Sequence, residues 1–239
     1  MGEKMRLDKL LSNMGKGSRS EMRNALKRGW VTVNGKRAVT GKEKVDVEED
    51  AVCYQGERIA YVRYIYLMLN KPQGVISATE DDRHQTVIDL IDDAYKALNP
   101  FPVGRLDIDT EGLLILTNDG DLTHRLLSPK HHVPKRYRAV LEKGISDGDI
   151  EAFRAGIDLK DGTHCLPAEL TAISEDVAEV VVYEGKFHQV KRMFEAVDNQ
   201  VTALKRLSMG PILLDPALVP GESRPLTEEE MALLEALLK

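Results

Sequence analysis

Residues 104–120 read Gly104-Arg-Leu-Asp-Ile-Asp-Thr-Glu-Gly-Leu-Leu-Ile-Leu-Thr-Asn-Asp-Gly120. Leu113 to Leu116 form an apolar strand, preceded by Gly112 and ended by an Asn118-Asp-Gly120 turn. Asp121 follows as the expected cap of a helix running through Leu127. Upstream, Gly104 lets the chain turn sharply or approach a neighbour closely. Arg105 and Asp107 lie two residues apart and share a side if the backbone is extended. Polar residues in a loop that feeds a buried strand are well placed for a rigidly supported site. On these residues alone a second possibility stays open, in which Arg105 and Asp107 form a salt bridge that only braces the loop.

On either side of this stretch the chain alternates strands with short helices. An apolar strand is expected over Tyr61–Leu69, and turns at Lys71-Pro-Gln-Gly74, Asn118-Asp-Gly120 and Asp161-Gly162. Lys71-Pro-Gln-Gly74 reads as a tight turn between strands, with Lys71 placed to face a phosphate. In Tyr183–Val197, Val190, Met193, Phe194 and Val197 make the core stripe of a helix, and His188, Lys191, Arg192 and Glu195 make its polar face. Thr227 and Glu230 form a capping box that opens a terminal amphipathic helix. The pattern suits an α+β domain with a mixed, largely antiparallel sheet over residues 61–239.

Residues 1–60 differ in kind. Leu7, Leu10, Leu11 and Met14 recur at helical spacing, and Ser18-Arg-Ser-Glu21 is a capping box for a second helix burying Met22, Ala25 and Leu26. Gly29 ends that helix, and Asn34-Gly35 joins two strands as a type I′ hairpin. The whole chain has 239 residues and a net charge of −6, yet residues 1–44 hold twelve Lys/Arg against four Asp/Glu, a balance of +8. Such asymmetry points either to a phosphate-binding module, with Arg19, Arg23, Lys27, Arg28, Lys36 and Arg37 as its candidate phosphate-binding cations, or to a solvated basic surface with no partner.

The helix–turn–helix–hairpin of residues 5–50 resembles the S4 RNA-binding domain. Behind it come Asn70-Lys-Pro-Gln-Gly74, Gly104–Gly120, Lys135-Arg-Tyr137 and His188-Gln-Val-Lys-Arg-Met193. In that order they resemble the RNA pseudouridine synthases of the branch named for RsuA, and the resemblance covers nearly the whole chain. It implies that Asp107 is the nucleophile that isomerises uridine, with Lys191 as its counter-charge and Arg192 as the second choice. It further implies that Tyr137 stacks on the target base and that Arg105 fills or braces the space left when the base flips out. His188, Arg192 and Lys71 complete the expected substrate contacts. No cofactor or energy source is needed for such an isomerisation.

The expected substrate is small-subunit (16S) rRNA, free or in a partly assembled subunit, because of the Lys186-Phe-His-Gln-Val-Lys-Arg192 run. Large-subunit (23S) rRNA and a non-catalytic ribosome-assembly role are the alternatives. No metal is expected: Asp107-Ile-Asp109 lacks further ligands, His131 and His132 point apart on an extended chain, and Asn118–Asp121 lacks the later glutamate of a calcium loop. Cys53 and Cys165 form no CxxC pair, no apolar run spans a bilayer, and no secretory h-region opens the chain. A cytoplasmic monomer without membrane contact is the expectation.

Overall fold

The computed structural model describes residues 3–237. It divides into two units: one runs to Ile65 and takes in Asp92–Asn99, and the other comprises Tyr66–Ile91 and the chain from Pro100 onward. The inclusion of Asp92–Asn99 in the first unit has no counterpart in the sequence pattern, which assigns that segment to the body.

In the first unit, local signals and structure agree closely. Helices span Leu7–Asn13 and Arg19–Lys27, and Ser18 and Glu21 exchange both capping-box bonds. Leu7, Leu10, Leu11, Met22, Ala25 and Leu26 are buried together with Val31, Val33, Val45 and Val52. The hairpin pairs Val31–Val33 with Lys36–Arg37, and Asn34 and Gly35 both take positive φ, as a type I′ turn requires. Val52–Tyr54 and then Glu57–Arg58 extend this sheet on the other side.

The second unit is built on a nine-stranded mixed sheet. Its main path runs Glu169–Ala172, Val177–Val182, Lys135–Leu141, Val201–Met209, Thr110–Thr117, Tyr66–Lys71, Ser223–Pro225. Only the pairing of Leu204–Arg206 with Thr110–Gly112 is parallel; the other strand pairs in this sheet are antiparallel. The Thr110–Thr117 strand lies between two neighbours, which is why Leu113 to Leu116 are all fully buried. Gly112 is required at this crossing. Its φ is +103°, and a Cβ there would lie 2.2 Å from the Arg206 carbonyl oxygen.

Two local expectations shift. The strand expected over Tyr61–Leu69 begins at Tyr66 and runs through Lys71. The helix after the central strand spans Gly120–Leu127, and its cap is Asp119, whose carboxylate accepts from Leu122 N at 3.0 Å. Asp121 instead falls in the first turn, where a negative charge also suits the helix dipole.

Candidate active site

Asp107 lies in the loop between Phe101–Pro102 and Thr110–Thr117, and that loop is held from behind by several bonds. Lys71 Nζ donates to the carbonyls of Asp107 (3.0 Å), Thr110 (2.9 Å) and Pro72 (3.0 Å). Gly74 N donates to Ile108 O at 2.8 Å. Ser77 Oγ donates to Leu106 O and accepts from Leu106 N, at 2.9 and 3.0 Å. The Asn70–Ser77 segment is therefore the brace of the Asp107 loop.

This corrects the expectation that Lys71 meets substrate. Its side chain is fully buried, and its three ammonium hydrogens are all used on carbonyls. Burial pushes its pKa down to about 8, against the opposing pull of Asp109, Asp107 and Glu111.

The Asp107 carboxylate faces the Lys191 ammonium and the His188 ring. Lys191 Nζ is 3.4 Å from Oδ2, and His188 Nε2 is 3.5 Å from Oδ1. Lys191 lies closer still to Asp109, at 2.5 Å, so its ammonium bridges the two carboxylates of the Asp-Ile-Asp run. That hydrogen bond is the first cause holding the Asp109 carboxyl below its usual range. Arg105 is exposed, lines the pocket beside Asp107 and has no ion pair among the described residues. The Arg105–Asp107 salt bridge is thereby set aside. Arg192 turns elsewhere, pairing with Asp161 and donating to the Phe187 carbonyl.

Lys191 enters the site from the helix Gln189–Ala196, which buries Val190, Met193 and Phe194, and His188 enters from its N-cap. His188 is the residue before it and takes a left-handed φ of +48°. That conformation costs a non-glycine residue about 1–3 kcal/mol and persists where the surroundings enforce it. The His188 ring stacks on Phe187 at a centroid separation of 3.7 Å, while Phe187 itself is 74% exposed.

These side chains edge an open pocket of about 80 Å³. Tyr137, on the Lys135–Leu141 strand, lines it with Leu106, Val182, Val190 and Leu204, so a polar rim meets an aromatic and aliphatic wall. Tyr137 is 9% exposed. Asp107, Tyr137, His188 and Arg105 thus share one pocket, and Lys191 reaches it through its ion pair with Asp107.

Sequence reasoning missed Arg206. It stands opposite Tyr137 in register, is 2% exposed, and donates from Nε to Leu113 O at 2.7 Å. Its Nη1 lies 3.5 Å from the Tyr137 hydroxyl, and its Nη2 is buried without a partner among the described residues. A buried guanidinium lacking a carboxylate is uncommon. The signal was present: Leu204, Arg206 and Ser208 alternate with more exposed neighbours, so an arginine occupies a core-facing strand position. Asp109 was missed as well, since it figured only as half of a possible metal motif. Among the described residues no group of three His, Cys, Asp or Glu gathers as a metal site. No described helix is long and apolar enough to cross a membrane.

Residues 65–196 match the RNA pseudouridylate synthase family and residues 5–52 match the S4 domain. The chain is 53% identical to the RNA pseudouridine synthase YtzG of Bacillus subtilis, over 96% of this chain and 98% of that protein. It is 42% identical to ribosomal small subunit pseudouridine synthase A of Escherichia coli K12, over 95% and 99%. A crystal structure of a pseudouridylate synthase superimposes with a TM-score of 0.68 at 35% identity, covering 96% of this chain and 99% of that one. The chain belongs to the RNA pseudouridine synthases of the RsuA type, isomerases that join an S4 RNA-binding domain to a pseudouridine synthase domain.

Proposed function

We propose that the protein converts a uridine of small-subunit ribosomal RNA to pseudouridine, with Asp107 as the nucleophile. The observation that carries this is the Asp107 loop: its backbone is fixed by Lys71, Gly74 and Ser77, while its carboxylate is free to face Lys191, His188 and the pocket. A carboxylate can form and release a covalent bond without a metal when it is ionised and rigidly held. Lys191 supplies the counter-charge that favours the ionised form.

In the reaction the N1–C1′ bond breaks, the uracil turns, and C5 bonds to C1′. C5 gives up its proton and N1 gains one, so no oxidant or group donor enters. A stacked uridine hides these atoms, so the base must leave its helix before it reaches Asp107. Tyr137 stacks on the flipped ring and its hydroxyl relays the C5 proton. Arg105, exposed and unpaired at the rim, takes the space the base vacates. In this division of labour the first unit holds the RNA and the second, which carries Asp107, carries out the chemistry.

The small-subunit target is supported by the names of relatives such as the Escherichia coli enzyme and by the Lys186–Arg192 run. The test is chemical mapping of pseudouridine in unmodified small-subunit RNA, naked or bound to ribosomal proteins, with Asp107→Ala protein as the blank. New pseudouridine at a discrete small-subunit position, absent with the variant, is the expected outcome. Product confined to large-subunit RNA overturns the target, and no product on any rRNA overturns rRNA as the substrate.

A further inference from the structure

Trp30 is the sole tryptophan of the chain, and the catalytic reading leaves it unused. It follows the Arg19–Lys27 helix and is 37% exposed, although Leu26 before it and Val31 after it are buried. Its backbone is anchored on both sides: Trp30 N donates to Ala25 O at 3.1 Å, and Gln55 N donates to Trp30 O at 2.6 Å. The indole is therefore presented by a fixed frame. Tyr54 meets it edge-on, with centroids 6.3 Å apart and planes at 87°. The Arg28 guanidinium carbon lies 5.0 Å from the ring centroid.

These groups border a cavity of about 340 Å³, lined also by Lys16, Glu21 and Asn24. That volume falls within the roughly 300–1,000 Å³ of small-molecule sites. The one acid on the rim, Glu21, is already engaged, accepting from Ser18 N at 2.7 Å and Ser18 Oγ at 2.8 Å in the capping box. Arg23 and Lys27, on the same helix, are exposed and make no ion pair among the described residues.

We propose that the cavity beside Trp30, Tyr54 and Arg28 is a subsite for one unpaired RNA base. The inference rests on RNA being the ligand of this unit and goes beyond phosphate contact by its cations. An aromatic face next to a guanidinium, within a cationic surface, is the combination that holds single-stranded bases by stacking. A paired duplex keeps its base faces covered, so it supplies phosphates to Arg23 and Lys27 but no ring to Trp30. The basic face thus acquires a preference for a loop or bulge over a continuous helix. An acidic protein segment is the competing occupant, and it would neither require a ring nor discriminate between RNA strands.

Tryptophan emission reports on this residue alone. Full-length protein is titrated with a short single-stranded RNA and with a fully paired hairpin of equal phosphate count, while anisotropy of labelled RNA measures occupancy. The single strand is expected to quench emission as it binds, and the hairpin to leave emission nearly unchanged at the same occupancy. Trp30→Ala is expected to weaken single-strand binding about fivefold to a hundredfold, the range of one base–aromatic stack. Hairpin binding stays the same, and Trp30→Phe retains most of the single-strand affinity. Equal quenching by both RNAs, unchanged emission at full occupancy, or equal losses on both RNAs in Trp30→Ala overturns the subsite. Failure to isomerise any rRNA would remove the proposed function and leave this binding result standing.

Discussion

The two units of this chain use positive charge in opposite ways. Around the pocket beside Asp107 nearly every cation is committed: Lys71 to three carbonyls, Lys191 to Asp107 and Asp109, Arg192 to Asp161, Lys186 to Glu184, and Arg206 to a strand carbonyl. On the S4 unit, Arg23, Lys27 and Lys36 stand exposed without ion-pair partners among the described residues. Committed charges fix geometry, because a cation with several short contacts holds its neighbours in one arrangement. Uncommitted charges supply affinity by releasing counterions, and they tolerate many RNA shapes. The division has exceptions on both sides, beginning with Arg6, which pairs with Asp8, and Arg63, which pairs with Glu3, in the first unit. Arg37 likewise donates to the Lys27 carbonyl at 2.6 Å and serves the end of that residue's helix, while Arg105, at the rim of the Asp107 pocket, has no ion pair among the described residues.

The largest effect that sharpens this contrast is expected from Lys71→Met. The residue is buried and outside the pocket, yet its loss releases the carbonyls of Asp107 and Thr110. A displacement of about 1 Å at a reacting group costs on the order of 10²-fold in rate, so single-turnover isomerisation should fall by that factor while RNA affinity holds. An unchanged rate would mean the brace is dispensable. The same variant carries a pH signature. Between about 8 and the ordinary lysine value near ~10.4, the folded protein binds fewer protons than the unfolded chain. Wild-type stability therefore rises relative to Lys71→Met as pH increases through that window. Denaturant melts of both proteins at pH 7 and pH 10 check the sign.

Arg206→Met is expected to come next, with kcat about tenfold lower and RNA affinity unchanged, since a hydrogen bond to a charged group contributes roughly 1.5–3 kcal/mol and the 3.5 Å contact to Tyr137 is long. Arg206→Lys should recover part of the rate. A loss of RNA affinity instead would assign Arg206 to binding. In the S4 unit, Arg23→Gln with Lys27→Gln should leave kcat intact and flatten the salt dependence of RNA affinity, by about 1.4 in logarithmic slope for two single-strand phosphates. An unaltered slope would remove these two cations from the RNA contact. The smallest effect belongs to Asp109→Asn. Lys191 depresses the Asp109 carboxyl, so the stabilisation it adds is present above the unfolded value near ~3.9 and lost as pH falls through the folded one. Asp109 is mostly exposed, which limits this to well under ~1 kcal/mol. Acid titration of stability in the two proteins should converge at the lowest pH, and a gap that persists there would contradict the pairing.

How much of this was legible in the sequence depended on the distance over which each feature is encoded. The Ser18–Glu21 capping box and the Asn34-Gly35 turn are local, and both form as read. Asp107, Tyr137, His188 and Arg105 were named from motifs, and the fold brings them to one pocket. Lys71 was misassigned because a lysine beside a turn looks solvent-facing until the strand pairing buries it. Arg206 escaped because its meaning comes from the partner strand: only the Tyr137–Arg206 register places its guanidinium by the tyrosine hydroxyl. Asp119 rather than Asp121 caps its helix because the helix begins at Gly120, a two-residue difference that turn composition does not resolve.

The central claim is that the braced Asp107 carboxylate, and no other group of the pocket, is the reacting one. Single-turnover isomerisation at saturating RNA, comparing wild type with the near-isosteric Asp107→Asn, tests it most directly, with RNA affinity measured on the same preparations. The account predicts equal affinity and a rate at least about 10³-fold lower, the scale on which loss of a nucleophile is felt. Product formed by Asp107→Asn at a rate near that of wild type would contradict it.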